Sequence, residues 1–364
     1  MNKRIFFSWG LLACLLVAAR VASAQGTVNM ATSAVPFLRI NPDARGGGMG
    51  ELGIATTPDA SSGLYNTAKL PFTPARSGVS INYAPWLRDI VQGMYLLQAS
   101  GYHRLDTLQA IAAGVRYFNL GDASVTDFSG THLQTSQPRE FALDIAYSRK
   151  LAASFSLALG LRYINSRLVS GSVGGSTYQS GQAFAADVSL FWDRVDRDGR
   201  GFSVGLSATN LGTKIGYTDG AGSKDYLPAN LGIGLAYTFV FNDQNKLQLG
   251  LDANKLLAPG SPRDSAALQT YHSYSIPGSW ARSFDNAGYG LSGGGEYNYD
   301  NLLFLRAGYH WEDKTRGNQN YLTAGVGLRY GLFELNFSYI APSSGGTGRI
   351  PLSNTYKFGL SINK

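Results

Sequence analysis

The chain has 364 residues, with 31 Lys and Arg against 24 Asp and Glu, and its net +7 gathers in no basic run of the kind that binds nucleic acid. Its one cysteine, Cys14, lies in an apolar N-terminal leader, so the chain beyond has no disulfide, no thiolate nucleophile and no cysteine-based metal site. Gly (45) and Tyr (21) are abundant, charged residues make up only 15%, and no later segment reaches the ~20 apolar residues of a transmembrane helix, which leaves an all-β reading.

Residues 1–24 read as a signal peptide. Lys3 and Arg4 form its positive end, Ile5 to Ala19 is apolar, and Ala22-Ser23-Ala24 offers small residues for cleavage before Gln25. Leu11-Leu12-Ala13-Cys14 resembles a lipidation box, but the apolar run continues past it, as an ordinary signal does. Removing Lys3, Arg4 and Arg20 leaves 28 basic against 24 acidic residues. Residues 25–75 do not alternate and contain Pro36, Pro42, Pro58, Pro71, Pro74 and the run Gly46 to Gly50, so coil is expected.

From residue 76 to 364 the pattern changes to period two. Phe155, Leu157, Leu159, Leu161 and Tyr163 share one face, with Ser156, Ala158, Gly160 and Arg162 on the other. Leu231, Ile233, Leu235, Tyr237, Phe239 and Phe241 likewise oppose small residues. Alternation over such lengths marks a strand with lipid on one side and a lumen on the other. The template predicts strands at 76–84, 93–103, 108–118, 140–149, 154–165, 183–193 and 202–210, then at 230–241, 246–255, 288–299, 302–311, 320–330, 332–340 and 354–363.

Fourteen is an even number, as single-chain bacterial barrels require. The connections alternate short and long, matching periplasmic turns and external loops, and place both ends in the periplasm. Tyr83, Trp86, Tyr102, Tyr147, Tyr163, Trp192, Tyr309, Trp311 and Tyr339, near strand ends, suit the membrane interfaces. A barrel this wide needs more than side chains to fill it, so residues 25–75 are expected to fold inward as a plug.

The run Ala34-Val35-Pro36-Phe37-Leu38, then Pro42-Asp43-Ala44-Arg45, Gly47-Gly48-Met49-Gly50 and Ala55 to Ala60, resembles the PorV (LptO) family, outer-membrane barrels of the type IX secretion system. Tyr83 to Arg88, Arg116-Tyr117-Phe118, Phe141 to Lys150, Phe184 to Asp187 and Leu251 to Pro259 extend the resemblance in the same order. The resemblance implies a FadL-like fourteen-stranded barrel in the outer membrane. It also implies a shuttle that takes cargo proteins with a C-terminal secretion domain from the translocon barrel to the surface attachment complex. Where FadL-like hatches carry Asn-Pro-Ala, this chain reads Asn66-Thr67-Ala68, which bears on the local turn and not on the fold. The alternative is a FadL-like channel for hydrophobic small molecules, which needs a lateral opening or a mobile plug.

Several motifs resolve to structure rather than chemistry. Gly290-Leu291-Ser292-Gly293-Gly294, with Asp300 and His310 downstream, matches a nucleophile elbow in letters only, because Ser292 falls inside an alternating strand. Lipid A deacylation, raised by the name LptO, finds no Ser-His pair in the sequence. Gly46 to Gly50 lacks the Lys-Ser/Thr of a phosphate loop, and Asp196-Arg197-Asp198-Gly199 lacks the closing Glu of a calcium loop. His103, His132, His272 and His310 lack metal spacing. No enzyme, metal or cofactor is expected. The expected partners are proteins and membrane lipids, with lipopolysaccharide among them.

By parity Asp144, Arg162, Asp187, Arg116, Asp252, Glu296, Arg306 and Glu334 face the lumen. A charge network is expected to hold the plug there, with Arg39 or Arg45 near Asp144 or Asp187, because buried charges must be paired. The long connections 119–139, 166–182 and 256–287 read as structureless. The last holds Tyr271, Tyr274, Ile276, Trp280 and Phe284, a candidate partner-binding surface whose alternative is a lid over the barrel's own mouth.

Overall fold

A computed structural model describes residues 33–87, 93–126, 129–169, 171–173, 176–218, 224–260, 264–342 and 355–364. The signal-peptide reading of 1–24 lies outside these residues. A one-turn helix, α1 (Ala44–Gly48), precedes the strands β1 (Ser77–Pro85), β2 (Tyr95–Arg104), β3 (Gln109–Asn119), β4 (Ala123–Thr126), β5 (His132–Ser136) and β6 (Arg139–Ala152). Next come β7 (Phe155–Arg167), β8 (Gly171–Val173), β9 (Ser176–Tyr178), β10 (Gly181–Val195), β11 (Gly201–Gly212) and β12 (Asn230–Val240). The last six are β13 (Asn245–Leu256), β14 (Tyr289–Tyr299), β15 (Leu303–Glu312), β16 (Asn320–Tyr330), β17 (Phe333–Pro342) and β18 (Thr355–Asn363).

All but the two small hairpins β4–β5 and β8–β9 form one closed antiparallel barrel, sealed where β1 pairs with β18 from Gly78↔Asn363 to Tyr83↔Phe358. The fourteen strands expected from alternation are therefore the fourteen observed, with every end within three residues. Parity holds as well. Ile145, Leu159, Leu161 and Leu251 face outward and exposed, while Ser148, Ser156, Ala158 and Arg162 are buried inside. A shift of one residue would exchange the two sets, so the pattern fixes the register.

Turn chemistry makes the short connections. Asp300 (φ 55°) and Asn301 (φ 53°) both take the left-handed conformation, as a two-residue hairpin with the right twist requires. Gly331 (φ 58°) serves the next short turn. The long connections are not structureless, contrary to expectation. Two carry the hairpins β4–β5 and β8–β9, and 256–287 carries two helices, α2 (Ser265–Ser273) and α3 (Ile276–Arg282). Asp264 caps the first by accepting the Ala267 N–H at 2.7 Å, and Ser275 caps the second through the Gly278 N–H at 3.2 Å.

Residues before β1 fill the lumen. The Ala34 N–H donates to the Tyr226 carbonyl at 3.0 Å, in the long 213–229 connection, so the described chain enters from the long-loop end and descends to β1 at the short-turn end. The expectation that both ends sit on the short-turn side holds for Lys364, which pairs with Ser77, and fails for the plug's first described residues. Tyr102 and Trp86 are also corrected: Tyr102 is buried, with its hydroxyl on the Ala75 carbonyl at 3.2 Å, and Trp86 packs inward against the core cluster that holds Phe37 and Leu96, so neither faces the membrane interface.

Candidate functional site: the plugged lumen

The plug is irregular because its sequence offers turns and glycines instead of alternation. A single helical turn, Ala44–Gly48, starts where the Asp43 carboxylate accepts the N–H groups of Arg45 (3.2 Å) and Gly46 (2.8 Å). That cap aims Arg45 at the wall. Its Nε and Nη2 donate to Glu296 of β14 at 3.0 and 2.9 Å, and its Nη1 donates to Asp59 at 2.8 Å. Arg306 of β15 donates to the same Glu296 at 2.6 Å. Two guanidinium groups on one buried carboxylate form a charge-assisted pair whose one-sided rupture costs about 3–5 kcal/mol.

Other contacts extend the seam. Asp252 accepts the backbone N–H groups of Gly53 (2.8 Å) and Ile54 (3.0 Å). Thr323 accepts from Gly50 at 2.8 Å and donates to the Gly48 carbonyl at 3.0 Å. Lys357 of β18 pairs with Glu51, and Arg39 with Glu312 at 3.3 Å. The wall gives way to the plug: a Cβ on Gly294 would lie 2.4 Å from the Met49 carbonyl oxygen, and one on Gly308 2.1 Å from Met49 C. Glycine is required at these two wall positions by that approach. Within the plug, Lys69 donates to the Gly53 carbonyl at 2.6 Å, and burial pushes its ammonium down to about 8. In the departed hatch motif, Asn66 caps the next turn through the Ala68 N–H at 3.0 Å and donates to the Leu190 carbonyl at 2.9 Å.

The expected pairing of Arg39 or Arg45 with Asp144 or Asp187 does not form. Those acids hold Arg162, which pairs with Asp144 and with Asp187 at 2.9 Å and also binds Asn210. The cluster links wall strands β6, β7, β10 and β11. It sits at a register shift between Ala186 and Val188, where the Asn210 N–H, in a left-handed residue, donates to Asp187 at 2.7 Å. Parity identified the inward charges, but the plug's acid partners are Glu296 and Glu312.

Ser292 and His310 form a pair that the sequence reading missed. They face each other across β14 and β15, with Ser292 Oγ 2.9 Å from His310 Nδ1, and His310 Nε2 lies 3.7 Å from Glu312. Ser292 sits in regular strand, without the strained strand-to-helix turn of a nucleophile elbow. Facing register positions account for the contact.

At the mouth, the connections 213–229 and 257–288 are joined. The Tyr226 hydroxyl donates to the carbonyls of Tyr271 (2.8 Å) and Tyr274 (2.9 Å), and its ring meets Tyr271 edge-on at 5.2 Å. Lys214 lies over the same ring at 4.5 Å and donates to the His272 carbonyl at 2.6 Å. Of the five candidate partner-binding residues, Tyr271 is buried, Tyr274, Ile276 and Trp280 are half-buried, and Phe284 alone is exposed. Leu268, one turn before Tyr271, is exposed too. Four of the five are thus at least half-buried, with Tyr271 packed on Tyr226.

A family model described as type IX secretion system protein PorV matches residues 23–263. Among solved structures, the Ralstonia pickettii toluene transporter TbuX is similar at 12% identity, covering 93% of this chain and 99% of its own, with a TM-score of 0.50. The Pseudomonas putida toluene transporter TodX is similar at 15% identity, covering 88% and 96%, also with a TM-score of 0.50. A TodX deltaS2S3 mutant described as a monoaromatic hydrocarbon channel reaches 0.53 at 14% identity, covering 88% and 98%. No curated protein matches the chain. The structural likeness fixes the fold as a FadL-like barrel.

Proposed function

This chain belongs to the PorV family of type IX secretion system proteins and is an integral barrel of the outer membrane, and from that premise we propose that it works as a closed shuttle for secreted proteins. In this reading it receives cargo bearing a C-terminal secretion domain from the translocon barrel. It then presents that cargo to the surface attachment complex, using its external loops and rim.

The observation that carries the reading is the attachment of the plug across the lumen. Residues 33–76 are tied to the wall on opposite sides, through Glu296, Asp252, Thr323 and Lys357 on one and Ser189 and Ser156 on the other. A channel for hydrophobic small molecules, as the names of the similar toluene transporters state for those proteins, needs a way through that seam or through the wall. The mid-wall irregularity beside Asp187 is bridged by Arg162 and by the Asn210 N–H. A shuttle works with its lumen closed.

Affinity purification in mild detergent tests it. Translocon and cargo are expected to co-elute with the barrel. Recovery of the barrel free of both, from cells actively secreting cargo, would refute the shuttle.

A further inference from the structure

Above the plug, on the long-loop side, the lumen opens into a cavity of about 540 Å³. Its lining carries four cations, Arg39, Arg116, Arg316 and Lys357, against three carboxylates, Glu51, Asp252 and Glu312. Each carboxylate is engaged through at least one oxygen, while Oε2 of Glu51 and of Glu312 stays unpartnered. Lys357 binds Glu51, Arg39 and Arg316 share Glu312, and two backbone N–H groups hold Asp252.

Arg116 is left over. It is only 4% exposed and donates Nη1 to the Leu38 carbonyl at 3.0 Å. It has no ion pair among the described residues, and its buried Nε has no hydrogen-bond partner. The two wall acids whose fields reach it, Asp144 and Asp187, share the single guanidinium of Arg162, so Arg116 balances their second charge from a distance and makes no ion pair with either. The buried Nε of Arg39, on the same cavity, is unpartnered as well. A buried guanidinium is best satisfied by a carboxylate in direct contact, and Arg116 has none, so its fork stands open toward the cavity.

We propose that this cavity is a binding site for a carboxylate carried by an extended peptide, with Arg116 as its counter-ion. A carboxylate matches the guanidinium fork with two parallel hydrogen bonds. Phe118, Leu120 and Trp86 give the cavity apolar walls, while Asn230, Asn254 and Gln319 add amide groups that both donate and accept. A peptide backbone needs both kinds of partner; an acyl chain needs neither. The carboxylate is either a chain terminus or an Asp or Glu side chain. The inference rests on the cargo-binding reading and gives it a chemical contact.

The test uses the purified barrel in detergent and short synthetic peptides copied from the C-terminal end of a secreted cargo, as free acid and as amide. A third set replaces internal Asp and Glu by Asn and Gln, and dodecanoate serves as the acyl carboxylate. One carboxylate source is expected to matter, with its neutralisation weakening binding about tenfold or more. Loss on amidation points to the chain terminus, and loss on Asp or Glu replacement to a side chain. Arg116→Gln is expected to remove that dependence and Arg116→Lys to keep part of it. Should Arg116→Gln not fold, the peptide comparison on the unmodified barrel still decides. Binding indifferent to every carboxylate overturns the site, as does tight, Arg116-dependent binding of dodecanoate without peptide binding. Whole cargo that still co-purifies in either case leaves the shuttle standing and removes only the site. Failure of whole cargo and peptides alike removes both.

Discussion

Two buried arginines inside this barrel each sit between two carboxylates, with opposite consequences. Arg45 sits between Glu296 and Asp59, and Arg162 between Asp144 and Asp187. Arg45 joins the plug to the wall, across 251 positions of sequence, whereas Arg162 joins one wall strand to its neighbours. The first cluster decides whether the lumen is filled. The second braces a wall that backbone pairing already closes. Burial and charge alone therefore do not say what a lumen network is for; which segments carry its members does.

Breaking the first cluster is expected to have the largest effect. Arg45→Ala leaves Glu296 and Asp59 with one cation fewer, at about 3–5 kcal/mol, and loosens the plug more than the wall. Planar-bilayer recordings of the purified variant should show steady ion currents absent from the unmodified protein, with heat-modifiable gel migration preserved. Silent recordings from a folded Arg45→Ala barrel would show that Asp252, Thr323 and Lys357 hold the plug without it.

The two faces of β7 give the next effect. Leu161 lies mid-strand on the outward face, where an arginine near the bilayer midplane costs ~2–4 kcal/mol, so Leu161→Arg is expected to impair assembly. On alternation alone Ser156→Arg should be milder, as a change in a wet lumen. The structure removes that allowance, because Ser156 is fully buried and its hydroxyl donates to the Ala68 carbonyl of the plug. The expected outcome is normal gel migration for Ser156→Arg together with leak currents, and for Leu161→Arg the loss of the folded band. Matching defects in both assays would break the assignment of wall and plug sides.

How much of this was legible depends on whether partners lie close in sequence. Strand alternation is local, and every barrel strand and inward charge could be read from it. Lys357 was readable by the same parity, between outward Tyr356 and Phe358. Glu312 fell just past the end assigned to its strand. The partner of Arg45 was not readable, since the plug has no period and its course through the lumen is set by distant contacts. Helices α2 and α3 did carry a local signal. Asp264 and Ser275 are capping residues, and Pro277 stands in the first turn of α3, but aromatic content drew attention to partners instead.

Breaking the wall cluster sharpens the comparison from its other side. Asp187→Asn removes one charge from Arg162 and weakens the acceptor for the Asn210 N–H at the register shift, at about 1.5–3 kcal/mol. Unfolding in urea should begin at lower concentration, while bilayer recordings stay silent. Currents comparable to those of Arg45→Ala would mean that the wall cluster also holds the plug.

The smallest expected effect lies at the mouth, where two external connections hold each other as plug and wall do below. The Tyr226 hydroxyl bridges the carbonyls of Tyr271 and Tyr274, at the end of α2 and just beyond it. Tyr226→Phe keeps the ring, its edge-on contact with Tyr271 and the Lys214 ammonium above it, and removes only the bridging donor. Net hydrogen-bond contributions put the loss at about 1 kcal/mol. Barrel and plug make no use of that hydroxyl, so urea unfolding and conductance should not change. Limited proteolysis should cleave faster between Tyr271 and Arg282, because fraying exposes α2 and α3. The same variant separates lid from docking surface. With Phe284 already exposed and Tyr271 buried, a lid that must open for cargo would make secretion as fast or faster in Tyr226→Phe. A surface that needs its helices fixed would make secretion slower at equal protein level. Unchanged cleavage would show that the remaining contacts, Lys214 with the His272 carbonyl among them, hold the mouth without the bridge.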